Sequence, residues 1–159
     1  MPSTAREYLQ LIVQPTVADF VESPGDIRRG VLAAMVLNHM ADHVALEGNS
    51  LTKRAQMSDL VTKTSNDFSL KCPEYQFIRD VADATKHAKL SVPNTGPREV
   101  SSSSQISATP GMFEAPFGEG VFAEAVEVLI ELEDGREKPL LPAVLSVLAA
   151  WKDFIRFSE

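Results

Sequence analysis

The chain has 159 residues and three histidines, and the spacing of those histidines is its first chemical signal. His39 and His43 are four apart, which on a helix puts two side chains on one face about 6 Å apart, close enough for two imidazoles to share a metal ion. Asp83 and His87 repeat that spacing further along. If the two helices face each other, His39, His43, Asp83 and His87 surround one space and suit a divalent transition metal, the cofactor of a metal-dependent hydrolase. Residues 39–43 read His-Met-Ala-Asp-His, which lacks the glutamate of HExxH and matches the inverted HxxEH only with Asp42 as the acid. The competing reading makes His39 and His43 core-edge residues whose nitrogens bond Asn38, an aspartate or backbone groups.

Arg79, Asp83 and His87 form one row of a second helix, so Asp83 can pair with the guanidinium on one side and with an imidazole N–H on the other. A carboxylate so placed raises the pKa of His87 and fixes its tautomer. Arg79, Asp83 and His87 are therefore candidates for general acid–base catalysis. With Lys86 and Lys89 they also suit a polar helix that recognises a phosphate-bearing ligand. Rows of alternating charge equally decorate solvated helix faces. Cys72, the single cysteine, excludes an intrachain disulfide or a CxxC knuckle. It precedes Pro73 at a helix start, where the dipole can lower a thiol pKa, or it is an ordinary buried residue.

The elements that must position these groups are mostly helical. Thr4 with Glu7 three positions on predicts a capping box and a first helix with Leu9, Ile12 and Val13 inward; Pro15 then starts a second short helix or kinks the first. Ser23-Pro24-Gly25-Asp26 opens a long helix that runs to about Glu47 and stops at Gly48, with Leu32, Val36, His39, His43 and Leu46 as its stripe. A weaker helix covers residues 52 to 68, and another opens at Pro73 with Phe77, Val81, Ala84 and Ala88 on its buried face. Residues 91 to 120 have loop composition, with room for one edge strand around Val100 to Ile106. Val126, Val128, Ile130 and Leu132 then alternate with glutamates. Asp134-Gly135 predicts a two-residue hairpin that sets Glu133 opposite Arg136 and Glu131 opposite Lys138. The hairpin spans about 125–139, ends at Pro139, and leads into a terminal helix, about 142–157, with Val144, Leu148, Trp151 and Ile155 inward. The fold class is α+β, mainly α: a single domain, 1–159, with a helical bundle over 1–90, a small antiparallel hairpin sheet and a C-terminal helix.

Hydrophobic residues make up 44% of the chain, enough for a core, and the formal net charge of -7 argues against a broad grip on nucleic acid or anionic membrane while leaving room for a local basic groove. The opening segment has no signal-peptide pattern, and no run approaches the length of a membrane span, so a cytoplasmic protein is expected. The RDVADATKHAKL segment, followed by a polar loop, a strand with a DG turn and a last helix containing a tryptophan, resembles small bacterial helical-bundle proteins. More loosely, an arginine and a histidine on one helix of a bundle resemble the HEPN superfamily, whose members include metal-independent ribonucleases and non-catalytic nucleotide- or RNA-binding modules. That family separates the two by four to six residues, where this chain has seven and adds a hairpin. The likeness spans roughly residues 26 to 90. It implies a homodimer with Arg79 and His87 at its seam. The expected function is a non-catalytic binding or regulatory module for a protein or nucleotide-type ligand. The alternatives are the metal-dependent hydrolase, the metal-independent ribonuclease and a purely structural subunit.

Overall fold

The computed structural model describes residues 2–91, 97–109 and 126–156. The first helix, α1 (Ala5–Tyr8), starts where Thr4 accepts the Glu7 N–H at 3.1 Å. The other half of the expected box closes on Ser3, whose N–H and hydroxyl donate to Glu7 Oε2 at 2.7 and 2.8 Å. Pro15 does not break the helix. Leu9–Val13 is a π-helical turn in which the Gln14 N–H reaches the Leu9 carbonyl, and α2 (Gln14–Glu22) then begins with Pro15 in its first turn, where a missing donor does no harm.

The long helix α3 (Ile27–Leu46) is capped by Asp26, which accepts the Arg29 N–H at 3.1 Å, and not by Ser23. It stops before Gly48, whose φ of 67° lies in the left-handed region. Its core face is Gly30, Ala33, Ala34, Leu37, Met40 and Ala41, which corrects the stripe expected from Leu32 to Leu46. Leu32 is 41% exposed and His39 is exposed. The small residues win the inner face because neighbouring helices come too close for larger ones: a Cβ on Gly30 would lie 3.0 Å from both Phe20 and Leu140.

Helix α4 (Arg54–Lys71) buries only Ser65 and Phe68, whereas α5 (Glu74–His87) buries half of its residues, including Phe77, Val81 and Ala84 as expected. Ala88 is no part of that face. It ends α5 at φ 59°, and its carbonyl accepts the Ser103 N–H at 3.0 Å, so Lys89 leaves the helix and bridges to Ser102. The last helix, α6 (Leu140–Arg156), begins two positions before Pro142 and buries Val144, Leu148 and Trp151. The Trp151 ring stacks on Phe68 with centroids 3.5 Å apart, and its Nε1 donates to the Leu37 carbonyl at 3.1 Å, so α3, α4 and α6 meet there. One hydrophobic cluster draws on all six helices and the sheet.

Three antiparallel strands, β1 (Ile106–Ala108), β2 (Val128–Glu131) and β3 (Glu137–Pro139), form a sheet in the order β1-β2-β3. Val128, Ile130 and Leu132 face inward as expected, but Val126 is 42% exposed. The hairpin register is one residue away from the expected one, with Ile130 opposite Lys138 and Glu131 opposite Glu137. A longer turn causes the shift: the Leu132 N–H bonds the Arg136 carbonyl at 2.7 Å, and Gly135, at φ 81°, lets the chain turn through Glu133, Asp134 and Gly135. Arg136 then pairs with Asp134 at 2.7 Å, and Lys138 crosses the Phe77 ring to reach Glu74 at 2.8 Å. A partly buried tertiary ion pair thus replaces two solvated cross-strand pairs. No helix among the described residues is long and apolar enough to cross a membrane.

Candidate functional site

Helices α3 and α5 pack along each other, and α1 packs against α3. The Ala5 N–H donates to Glu47 Oε2 at 3.0 Å, which fastens α1 to the end of α3. This brings the Tyr8 ring onto His43, with centroids 3.7 Å apart and planes 16° from parallel. Above the stack lies a cleft of about 440 Å³ lined by His39, Asp42 and His43 from α3, by Asp83 and Lys86 from α5, and by Tyr8. Burial is the main cause that lowers the His43 pKa, reinforced by His39 and opposed by Asp42 and Glu47, so the ring is neutral at pH 7. Burial, with help from Asp42, raises the Tyr8 pKa. The floor is therefore an uncharged aromatic pair, and the charge stands on the rim. Behind it, the Tyr75 hydroxyl donates to Asn38 Oδ1 at 3.1 Å, and burial pushes its pKa up to about 12.

His39, His43 and Asp83 share this cleft, but His87 does not: it lies exposed at the C-terminal end of α5. Among the described residues no group of three or more His, Cys, Asp or Glu side chains is placed to hold one metal ion. The Arg79-Asp83-His87 row is not joined by hydrogen bonds either. Arg79 reaches back to Asn66 Oδ1 on α4 at 3.3 Å, and Asp83 faces Arg98 at 3.7 Å. Cys72 is buried, and burial raises its pKa, the opposite of the lowering that a helix start can bring.

Sequence reasoning missed Asp80. It is fully buried and accepts hydrogen bonds from Arg98 Nη1 at 3.0 Å, Gln76 Nε2 at 3.0 Å and the Glu99 N–H at 2.8 Å. Burial raises its pKa, and the Glu99 N–H, the Arg98 charge and the Gln76 amide pull the other way without cancelling it. Arg98 lies between Asp80 and Asp83 and so links the core to the cleft rim. One signal was available: Asp80 comes three residues after Phe77 and four before Ala84, on the apolar face of α5.

Fold and site together define a small, mainly helical α+β protein with a polar cleft between two of its helices. Comparison with known proteins gives no match to a family model, to a curated protein or to a solved structure.

Proposed function

We propose that the chain is a non-catalytic binding module whose ligand is a small polar molecule with an amine or guanidinium group, seated in the α3–α5 cleft. The observation that carries this reading is the rim, where the carboxylates of Asp42 and Asp83 meet the ammonium of Lys86 above a neutral Tyr8–His43 floor, while Arg98, 3.7 Å from Asp83, is held more closely by the buried Asp80 at 3.0 Å. A cationic end pairs with the carboxylates, and the rest of the ligand spreads over the aromatic floor. The phosphate of a nucleotide-type ligand would meet two carboxylates in the same space, which disfavours it there. Catalysis by Arg79 and His87 gains no support from the geometry, because Arg79 is engaged with Asn66.

The test is a heteronuclear NMR titration with putrescine and, separately, with AMP. Putrescine is expected to shift the amide resonances of Asp42, His43 and Asp83. The Asp42→Asn and Asp83→Asn variants should bind it at least tenfold more weakly, which corresponds to about 1.4 kcal/mol. AMP moving those resonances while putrescine does not overturns the choice of ligand. RNA cleavage that persists in chelator and disappears in His87→Ala overturns the non-catalytic reading.

A further inference from the structure

Asn38 also lines the α3–α5 cleft, with its side chain held from behind. The hydroxyl of the buried Tyr75 donates to Asn38 Oδ1 at 3.1 Å, with the Asn38 backbone carbonyl a more distant acceptor at 3.4 Å. Ser65 Oγ, buried on α4, lies 3.4 Å from the same hydroxyl and backs this bond. Burial keeps the Tyr75 hydroxyl protonated far above neutral pH, so it is a permanent donor. A permanent donor on Oδ1 sets the direction of the amide. Its oxygen is occupied, and its NH2 group, which has no partner among the described residues, is the end left to the cleft. Helix spacing then repeats one arrangement on both walls. Asn38 and Asp42 are four apart on α3, and Asp83 and Lys86 are three apart on α5, so each helix presents one carboxylate and one N–H donor on the same face. Neither Asp42 nor Lys86 takes part in an ion pair among the described residues.

We infer that the cleft selects an amino-acid-type zwitterion, whose ammonium or guanidinium group pairs with Asp42 and Asp83 and whose carboxylate is held by the Asn38 amide and the Lys86 ammonium. The inference rests on the proposed seating of a cationic group in the same cleft and adds the other end of the ligand. A ligand with cationic groups alone satisfies the two acids and gives the two donors no acceptor. A simple anion reaches the donors but meets both acids. A molecule carrying both signs matches all four groups at once. A zwitterion is neutral overall, so the formal net charge of -7 draws it in less than it draws a polyamine, and selection depends on the contacts themselves. Asn38 is the residue that sets this specificity, and Tyr75 is a positioning residue that acts through the Asn38 amide.

The test is an NMR titration of the full chain with two matched pairs of probes, putrescine against 4-aminobutyrate and 1,6-diaminohexane against 6-aminohexanoate. In each pair a carboxylate replaces one aminomethyl group. At least one amino acid is expected to bind about tenfold more tightly than its diamine and to shift the side-chain amide resonances of Asn38. Asn38→Asp keeps the acceptor that Tyr75 needs but replaces the donor with a negative charge, so it should reverse the preference in favour of the diamine. Tyr75→Phe frees the amide to turn over and should erase the preference while diamine binding persists. A purely structural role of Tyr75 would instead lower both affinities together, and that result overturns its positioning role. Diamines that bind as tightly as the amino acids in both pairs overturn the inference and leave the cationic reading standing. Binding of neither class of probe overturns both. An amino-acid preference that Asn38→Asp retains in full also overturns the inference.

Discussion

Two aspartates three residues apart on α5 face the same arginine from different surroundings. Asp80 is fully buried and fastens residues 98 and 99 to the helix through two directed hydrogen bonds, with a third from Gln76 of the same helix. Asp83, with its side chain 30% exposed, meets the same guanidinium only at 3.7 Å and turns its other side to the cleft. What reads in sequence as one row of charge is two systems: a clasp that holds a connection in place and a rim that water can reach. Desolvation strengthens every bond of the clasp and makes any loss there expensive, whereas the rim is screened.

The largest expected effect tests the clasp. Asp80→Ala leaves Arg98 partly buried without its main partner, and urea denaturation should show a loss of about 3 kcal/mol. An equal loss in Asp83→Ala would break the comparison.

A second test uses the opposite pH signs of the two regions. Burial raises the Asp80 pKa, so the stability it provides is complete below about pH 3.9 and is lost as pH rises through the folded value. Burial lowers the His43 pKa, so the stability from that group is complete above about pH 6.5 and is lost as pH falls through the folded value. Melting curves across that range should show Asp80→Asn removing the first dependence and His43→Phe, which can keep the stack on Tyr8, removing the second. Two dependences of the same sign would contradict the assignment.

The smallest effect belongs to the rim. Asp83→Ala should change the denaturation free energy by less than about 1 kcal/mol, because its pair with Arg98 is solvent-accessible. A larger loss would move Asp83 into the clasp.

The main elements were legible in the sequence because their apolar periods are clear. Phe77, Val81 and Ala84 mark the buried face of α5, Val144, Leu148 and Trp151 that of α6, and Val128, Ile130 and Leu132 that of the hairpin. On α3 the signal misled: Leu32, Val36 and Leu46 carry more apolar bulk, but Gly30, Ala33 and Ala34 allow the close approach that decides which face turns inward. The register of the hairpin was hidden for a different reason. Lys138 takes its partner from α5, and no rule about cross-strand neighbours contains that contact. Half of the cleft was visible in the His39/His43 spacing, and Asp83 and Lys86 were singled out, but Tyr8 was not. The clasp was invisible because Asp80 and Arg98 lie 18 residues apart, joined through a connection with no periodic pattern.

The stack of Phe68 on Trp151 gives the molecule a built-in optical reporter. There is one indole in the chain, so its emission comes from a single place, and that place is where α4 is anchored by one large buried side chain. A red shift of that fluorescence at denaturant concentrations too low to melt the helical signal would register α4 lifting away while the other helices hold, which turns a packing detail into a direct readout of partial opening.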